Sequence, residues 1–217
     1  MRVLLTGGGS GIGHALAQRL AERGDELWLV VRAPDRAADF PGAHVLVADL
    51  ADPDAIAALD LPVELDAVVH AAGVVELGPV AELSAETWES ALRVNVMAPA
   101  LLTKAALPAL RAARGTVVFV NSGAGLQANP QWSAYAASKF GVRAVADALR
   151  AEEPELRVST VFPGRTATPM QEKVHAQEGK EYDAGRWIRP GTVADGVLHV
   201  LNLPRDATVT DLMIKPG

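Results

Sequence analysis

The stretch Thr6-Gly-Gly-Gly-Ser-Gly-Ile-Gly13 decides the fold, because it joins a short apolar run, Val3–Leu5, to an alanine-rich amphipathic segment, Ile12–Glu22. A glycine-rich turn between a first strand and a first helix lets backbone N–H groups approach a pyrophosphate. The glycine spacing is G-x-x-x-G-x-G, and no Lys-Ser/Thr follows it, which disfavours a nucleoside triphosphatase. The stretch therefore predicts a nucleotide-binding turn, with a turn that holds no ligand as the alternative.

Short apolar runs alternate with helical patterns along the rest of the chain. Continuous β-branched runs indicate strands buried on both faces, and a regular β-α-β-α order indicates a parallel sheet. We therefore predict an α/β fold over 1–217 as a single domain: a Rossmann-type doubly wound, mostly parallel sheet of six to seven strands with helices on both faces. The further strand candidates are Leu27–Val31, His44–Val47, Ala67–His70, Val117–Val120, Val158–Phe162 and a weaker Leu212–Ile214, and the further helix candidates are Pro53–Leu59, Glu86–Leu110, Ala134–Ala151 and Val193–Leu203. Ser84 and a capping box at Thr192-x-x-Asp195 are expected to begin two of the helices.

Composition excludes several classes of protein. The 217 residues are 49% hydrophobic and 21% charged, which is a globular balance, and a net charge of −6 disfavours nucleic acid as a partner. There is no cysteine, and the five histidines lack ligand spacing, so no metal site is expected. No signal segment or membrane span is evident, so we expect a cytoplasmic protein with no membrane partner.

Two charged residues follow the second and third predicted strands. Val31 offers no acceptor to a ribose 2′-hydroxyl, whereas Arg32 beside it is suited to pair with a 2′-phosphate. This predicts NADP(H) in preference to NAD(H), with a solvated strand-end charge as the alternative. Asp49, followed by Leu50, is expected near the adenine, although a lone acid in such a loop is often a helix cap.

A second cluster lies in the carboxyl-terminal half of the chain. Tyr135 and Lys139 stand four residues apart in an alanine-rich helix and so share one face. Ser122 ends the strand before that helix, and Asn95 lies within the long helical pattern. An ammonium near a phenol is expected to lower its pKa from about 10, and a serine hydroxyl is suited to stabilise negative charge on a substrate oxygen. Taken singly, each residue has an ordinary structural explanation.

Together these motifs resemble the short-chain dehydrogenase/reductase family, in its compact single-domain branch, over almost the whole chain. The motifs are the glycine stretch, His70-Ala-Ala-Gly73, Asn95-Val96, Asn121-Ser122-Gly-Ala-Gly125, Tyr135-Ala-Ala-Ser-Lys139 and Pro163-Gly164-Arg-Thr-Ala-Thr168. The resemblance implies a catalytic set of Ser122, Tyr135 and Lys139, with Asn95 holding a proton-relay water. It implies cofactor contacts by Gly7, Gly9, Ser10, Gly11, Ile12, Gly13, Arg32, Asp49, Leu50, Ala71, Ala72, Gly73, Tyr135, Lys139, Pro163, Gly164, Thr166 and Thr168.

The sequence departs from the family pattern in places. His70 and Ala71 replace two amide side chains, and His70 is expected to be a hydrogen-bonded core histidine. Ser10 stands where NADP-preferring relatives often carry a basic residue, which weakens the prediction from Arg32. The segments 33–43 and 49–66 are shorter than usual, which is expected to trim a peripheral helix.

The resemblance also implies a lid at about 168–190 and self-association as a homodimer or homotetramer through two long helices. Gln127, Trp132 and Met170 are candidate substrate contacts, and the substrate is expected to be a small ketone, aldehyde or secondary alcohol. The sequence thus predicts an oxidoreductase with Tyr135 as general acid/base. The alternatives are a cofactor-sensing regulatory protein without significant turnover, and a sugar-nucleotide epimerase or dehydratase, which usually needs a larger substrate domain.

Overall fold

Seven strands form one sheet in the computed structural model, which describes residues 1–217. In chain order they are β1 (Arg2–Thr6), β2 (Glu26–Val31), β3 (His44–Val47), β4 (Ala67–His70), β5 (Thr116–Val120), β6 (Arg157–Pro163) and β7 (Asp211–Ile214). The order across the sheet is β3-β2-β1-β4-β5-β6-β7, and every neighbouring pair is parallel. The predicted doubly wound sheet is confirmed, with seven strands and no antiparallel pair. Strand order reverses between β1 and β4, where such sheets bind ligands at the carboxyl ends of their strands.

Helices cover both faces of this sheet. They are α1 (Gly11–Glu22), α2 (Pro53–Ala57), α3 (Ala85–Leu92), α4 (Ala98–Ala113), α5 (Ser133–Glu152), α6 (Pro169–Gln177) and α7 (Pro190–Asn202). Leu16 of α1 and Val197 of α7 are buried in the core on one face, while Leu102 of α4 and Ala146 of α5 are buried in the core on the other. The segments 33–43 and 49–66 were predicted to be short enough to trim a peripheral helix. Their only helical parts are the 3₁₀ turn Pro34–Ala37 in the first and the five-residue α2 in the second.

The predicted helix Glu86–Leu110 is not one regular helix. A π-helical turn, Arg93–Met97, separates α3 from α4, and Ser84 caps α3 as predicted by accepting a hydrogen bond from the Thr87 backbone N–H. Length and composition alone would let Ala85–Ala113 cross a bilayer. Leu102 and Leu110 in this stretch are, however, fully buried in the core against the sheet.

Two other sequence predictions were wrong in detail. The strand β3 is not buried on both faces: Val47 is 53% exposed, because β3 lies at the edge of the sheet and pairs only with β2. The helix α7 begins at Pro190, whose fixed φ suits a first turn, so Thr192-x-x-Asp195 lies inside the helix and is no capping box. The Asp195 carboxylate instead accepts hydrogen bonds from Arg19 of α1.

Candidate active site

The glycine turn bends back on itself at the amino end of α1. Gly7 and Gly11 have φ values of +75° and +56°, the left-handed region that glycine adopts without strain. A Cβ on Gly7 would lie 2.7 Å from the Ala71 carbonyl carbon, so side chains are excluded where the turn meets the β4 loop. Ser10 precedes α1 but makes no side-chain capping bond, which leaves the first-turn N–H groups without that partner.

A cavity of about 500 Å³ runs along the carboxyl ends of the strands from this turn to α5. Most of the residues proposed from the sequence line it: Gly7, Gly9, Ser10, Gly11, Ile12, Arg32, Asp49, Leu50, Ala71, Ala72, Gly73, Ser122, Trp132, Tyr135, Lys139, Pro163, Gly164, Thr166, Thr168 and Met170. The fold thus brings both predicted clusters into one cavity, although they are separated by more than a hundred residues in sequence.

Three of the proposed residues do not line the cavity. Gly13 lies within α1 and outside the cavity wall. A Cβ there would approach the Gly7 carbonyl oxygen to 2.2 Å, so Gly13 lets the helix pack closely against the glycine turn. Gln127 is an exposed loop residue outside the cavity wall, because the chain turns into solvent after the 3₁₀ turn Gly123–Gly125. Asn95 is 2% exposed and lies behind the wall.

Asn95 joins two elements of the site. Its Oδ1 accepts a hydrogen bond of 2.9 Å from the Val74 N–H, and its Nδ2 donates bonds of 2.9 Å to the Val74 carbonyl and to Ser138 Oγ. Ser138 Oγ in turn donates a 2.7 Å bond to the Tyr135 carbonyl oxygen. The π-helical turn carries Asn95 at its centre, so this irregular turn ties the β4 loop to the helical turn that bears the tyrosine.

Asn121 fixes the other side of the same helix. Its Nδ2 donates a 3.0 Å hydrogen bond to the Lys139 carbonyl oxygen, and its Oδ1 accepts a 2.8 Å bond from the Ser122 N–H. Lys139 is 5% exposed, and its ammonium donates a 3.2 Å bond to the Val120 carbonyl oxygen and lies 5.7 Å from the Tyr135 ring centroid. Backbone and side chain of Lys139 are therefore both held against the end of β5.

Burial dominates the electrostatics of this end of the cavity. It raises the pKa of Tyr135 to about 12, an effect opposed by the Ser122 hydroxyl, and it lowers the pKa of Lys139 to about 8. The lowered tyrosine pKa expected from the sequence is therefore not produced by the chain's own residues. The physical reason is that the Lys139 ammonium donates to the Val120 carbonyl while Tyr135 is only 7% exposed.

The β4 strand ends in a neutral, buried histidine. His70 is 4% exposed, its Nε2 lies 2.8 Å from Thr103 Oγ1, and its ring stacks on Phe119. Burial lowers the pKa of His70 to about 3, so the imidazole is uncharged at neutral pH. The predicted hydrogen-bonded core histidine is confirmed, and the neighbouring Ala71 and Ala72 N–H groups donate to Thr6 Oγ1.

The segment after β6 covers the cavity and is fastened to its rim. Thr168 caps α6 and lies against the glycine turn, since a Cβ on Gly11 would be 3.1 Å from Thr168 Cγ2. Lys173 of α6 pairs with Glu76 at 2.7 Å, and Gln177 Oε1 accepts a 3.2 Å hydrogen bond from the Leu77 N–H.

Beyond the tyrosine, the cavity is mainly apolar. Tyr135 belongs to a buried cluster with Val75, Ala124 and Val174, against which Trp132 and Met170 pack. The Trp132 ring meets the Tyr135 ring edge-on at 5.8 Å between centroids. Arg165 also lines this region and was not proposed from the sequence, because nothing local marks its side chain for the cavity.

The chain belongs to the short-chain dehydrogenase family, whose pattern it matches over residues 1–179. It is 30% identical over 195 residues to an uncharacterized oxidoreductase of Schizosaccharomyces pombe, which covers 84% of this chain and 78% of that protein. Among solved structures it resembles an alcohol dehydrogenase of the archaeon Thermococcus sibiricus complexed with 5-hydroxy-NADP, with a TM-score of 0.85, 26% identity and coverage of 99% and 96%. It also resembles a levodione reductase, with a TM-score of 0.86, 26% identity and coverage of 98% and 95%.

The fold, the cavity and the similarity to these proteins together show that this protein is an NAD(P)-dependent short-chain oxidoreductase that acts on small-molecule substrates.

Proposed function

We propose that this protein is an NADP(H)-preferring oxidoreductase that transfers hydride reversibly between the cofactor and a ketone or aldehyde, or the corresponding alcohol. Tyr135 acts as its general acid/base. The observation that carries the proposal is the shared cavity, which has Ser122, Tyr135 and Lys139 on one wall and the glycine turn at its other end.

The glycine end of the cavity fits a dinucleotide. Uncapped N–H groups at the start of α1 favour an anion, since the amino end of a helix carries partial positive charge. The positive φ of Gly7 and the absence of its Cβ let a ligand approach the backbone closely. Gly7, Gly9, Gly11 and the start of α1 would hold the pyrophosphate, and Lys139 with the turn Pro163–Thr166 would hold the nicotinamide end.

The bound nicotinamide would supply or accept the hydride, and the chain's own residues handle the proton. Tyr135 Oη donates a proton to the substrate oxygen during reduction and takes it back during oxidation. Ser122 Oγ donates a hydrogen bond to that oxygen as negative charge develops on it. The Lys139 ammonium would hold the nicotinamide ribose, and Trp132 and Met170 exclude water from the reacting centre.

Burial sets the protonation state of the phenol near neutral pH. With its pKa raised to about 12, Tyr135 is protonated at neutral pH and is ready to act as an acid. Lys139, with a pKa near 8, still carries its charge there. Oxidation of an alcohol requires the phenolate first, so its rate should increase as the pH is raised.

Two unpaired cations support the preference for NADP(H). Arg32 and Arg36 are exposed, line the cavity and make no ion pair, and Val31 between strand and turn is buried and apolar. The 3₁₀ turn Pro34–Ala37 brings Arg36 over the glycine turn, where a Cβ on Gly9 would lie 3.3 Å from Arg36 Cβ. A 2′-phosphate would thus meet two guanidinium groups.

Absorbance of NADPH tests the proposal directly. We expect NADPH to be oxidised by at least one member of a panel of small neutral ketones and aldehydes. Lys139→Ala should weaken both cofactor binding and turnover, whereas Lys104→Ala, at an exposed lysine of α4 outside the cavity, should change neither. Cofactor binding without turnover of any ketone, aldehyde or alcohol would contradict the enzymatic proposal.

We also propose that the protein is a cytoplasmic homo-oligomer that associates through the helices α3, α4 and α5. The apolar residues at or beside these helices that are at least 40% exposed are Leu92, Met97 and Phe140. Exposed apolar side chains of this kind support contact with a second copy of the chain. Sedimentation velocity should show a dimer or tetramer, and Phe140→Asp should shift it toward monomer. A wild-type monomer at micromolar concentration would contradict this proposal.

A further inference from the structure

Besides Lys139, the substrate end of the cavity holds a second cation, Arg165, and a carboxylate already pairs with it. Arg165 follows β6 and lines the cavity beside Trp132, the ring that packs on Tyr135. Its Nη1 and Nη2 donate hydrogen bonds of 2.9 and 2.6 Å to the two carboxylate oxygens of Glu178. This is the bidentate arrangement in which arginine binds a carboxylate most strongly.

The pair is held in place from several sides. The Arg165 guanidinium lies 5.9 Å from the Trp132 ring centroid and 5.4 Å from that of Trp187. The Glu178 side chain is only 11% exposed and also accepts a 3.1 Å hydrogen bond from Lys180. Because of Arg165, above all, the pKa of Glu178 lies below its usual range, so its carboxylate stays charged.

This arrangement has a consequence for the substrate. A carboxylate on the substrate could form the same bidentate pair with Arg165 only by displacing Glu178, and on any approach to the guanidinium it would meet repulsion from that fixed negative charge. Val75, Ala124 and Val174 form an apolar surface near Trp132, and the polar side chains Asn129 and Gln171, which also line the cavity, carry no charge. An apolar group gains from entering such a site and an uncharged polar group loses some hydration, whereas an anion loses much more hydration without gaining a partner.

We propose that Glu178 masks Arg165, so that the active site selects carbonyl compounds that are uncharged near the reacting carbon and discriminates against those bearing a carboxylate. Glu178 is a specificity-determining residue that acts through Arg165. The proposal rests on the function proposed above, since it concerns the substrate end of that same site.

The masking is tested by ligand binding, which needs no turnover. Benzamide and benzoate have nearly the same shape and differ in charge, and their affinities are measured by calorimetry with saturating NADP⁺. Wild-type protein is expected to bind benzamide more tightly than benzoate. In Glu178→Gln the unmasked guanidinium should raise benzoate affinity by about tenfold or more, as a charge-assisted hydrogen bond provides, and leave benzamide within about threefold.

Three variants assign the effect to the pair. Glu155→Gln removes an exposed ion pair, with Arg114, that lies outside both the cavity and the lid, and it should leave both affinities unchanged. Adding Arg165→Met to Glu178→Gln should abolish the gain in benzoate affinity. If Glu178→Gln does not fold, Glu178→Ala replaces it in the same comparison with wild type.

The outcomes separate this proposal from the one on which it rests. Benzoate binding to wild type as tightly as benzamide, or no gain for benzoate in a folded Glu178 variant, would overturn the masking. Failure of NADPH oxidation with every carbonyl compound would overturn the enzymatic proposal while the binding experiment still decided on Glu178. If both hold, neutral ketones should be reduced faster than 2-oxo acids of equal size, and Glu178→Gln should narrow that difference.

Discussion

The two ends of the cavity are built in opposite ways. At one end Asn95, Tyr135 and Lys139 are each less than 10% exposed, and the hydrogen bonds around them come from the protein itself. At the other end Arg32 and Arg36 are exposed and make no ion pair. Burial controls protonation at the first end, whereas the second end acts through charges that water and salt weaken. Rate should therefore depend on the buried end and cofactor choice on the exposed one.

The largest effect is expected from Tyr135→Phe. Phenylalanine keeps the ring and its packing on Trp132 and removes only the proton donor. General acid–base catalysis typically contributes about 10²–10⁴-fold, so turnover should fall by that factor. Cofactor affinity, measured by titration, should stay nearly the same. Retention of more than about a tenth of wild-type turnover in a step limited by chemistry would show that another group is the acid.

The buried end should also make stability depend on pH, through His70. The pKa of His70 is lowered to about 3 in the folded chain, against an ordinary value of 6.5. Between these values the unfolded chain binds one more proton than the folded chain, so the free energy of unfolding falls as pH falls. Through His70, the free energy of unfolding should decrease by about 1.4 kcal/mol for each pH unit below about 6.5. Above that pH this contribution to stability is fully present.

The contribution of His70 is isolated by comparing slopes rather than stabilities. His70→Asn removes the titrating group, and denaturant unfolding at pH 7, 6, 5 and 4 should then show a shallower dependence on pH than in wild type. His199→Asn, at an exposed histidine of α7 that forms no ion pair, should keep the wild-type slope. Identical slopes in all three proteins would mean that His70 gains its proton in the folded state.

The two ends also differ in how far the sequence predicted them. The glycine turn and the Tyr135–Lys139 pair follow local rules, a βα turn and an i, i+4 helix face, and both lie at the cavity as expected. The π-helical turn around Asn95 was missed, because its sequence continues an ordinary helical pattern. The place of a residue in the sequence predicts that it lines the cavity only when no contact elsewhere in the fold holds its side chain in another direction.

Tertiary contacts explain the other gaps. Arg165 and Glu178 are separated by a whole helix, and only the fold of the lid brings them together. The edge position of β3 depends on strand order, so its exposed Val47 carries the same local pattern as a buried strand. Gln127 stands only five residues from Ser122, yet the 3₁₀ turn between them directs it into solvent.

At the exposed end, a paired change should reverse cofactor choice. A charge-assisted pair with the 2′-phosphate is worth roughly 1.5–3 kcal/mol, so NADPH should bind wild type at least about tenfold more tightly than NADH. Val31→Asp with Arg32→Ala supplies an acceptor for a 2′-hydroxyl and removes the cation, and the combination should favour NADH. Calorimetric titration of both cofactors into both proteins measures this. Equal wild-type affinities would leave Arg32 as a solvated charge.

The smallest effect is expected from Arg36, because it meets the glycine turn with its backbone and Cβ rather than with a fixed guanidinium. A Cβ on Gly9 would lie 3.2 Å from the Arg36 carbonyl oxygen, so the 3₁₀ turn should keep its position in Arg36→Ala. The guanidinium itself is exposed, and an exposed ion pair is typically worth about 0.2–1 kcal/mol. We therefore expect Arg36→Ala to weaken NADPH binding by roughly two- to fivefold at low salt and to leave NADH binding unchanged.

Raising the salt to about 0.5 M should remove most of that loss of NADPH affinity, since it shortens the screening length below about 5 Å. Because Arg32 faces the same phosphate, the double variant should lose less than the product of the two single losses. A tenfold loss for NADPH in Arg36→Ala that persists at high salt would instead identify Arg36 as the principal ligand of the phosphate, and the exposed end would then be as firmly built as the buried one.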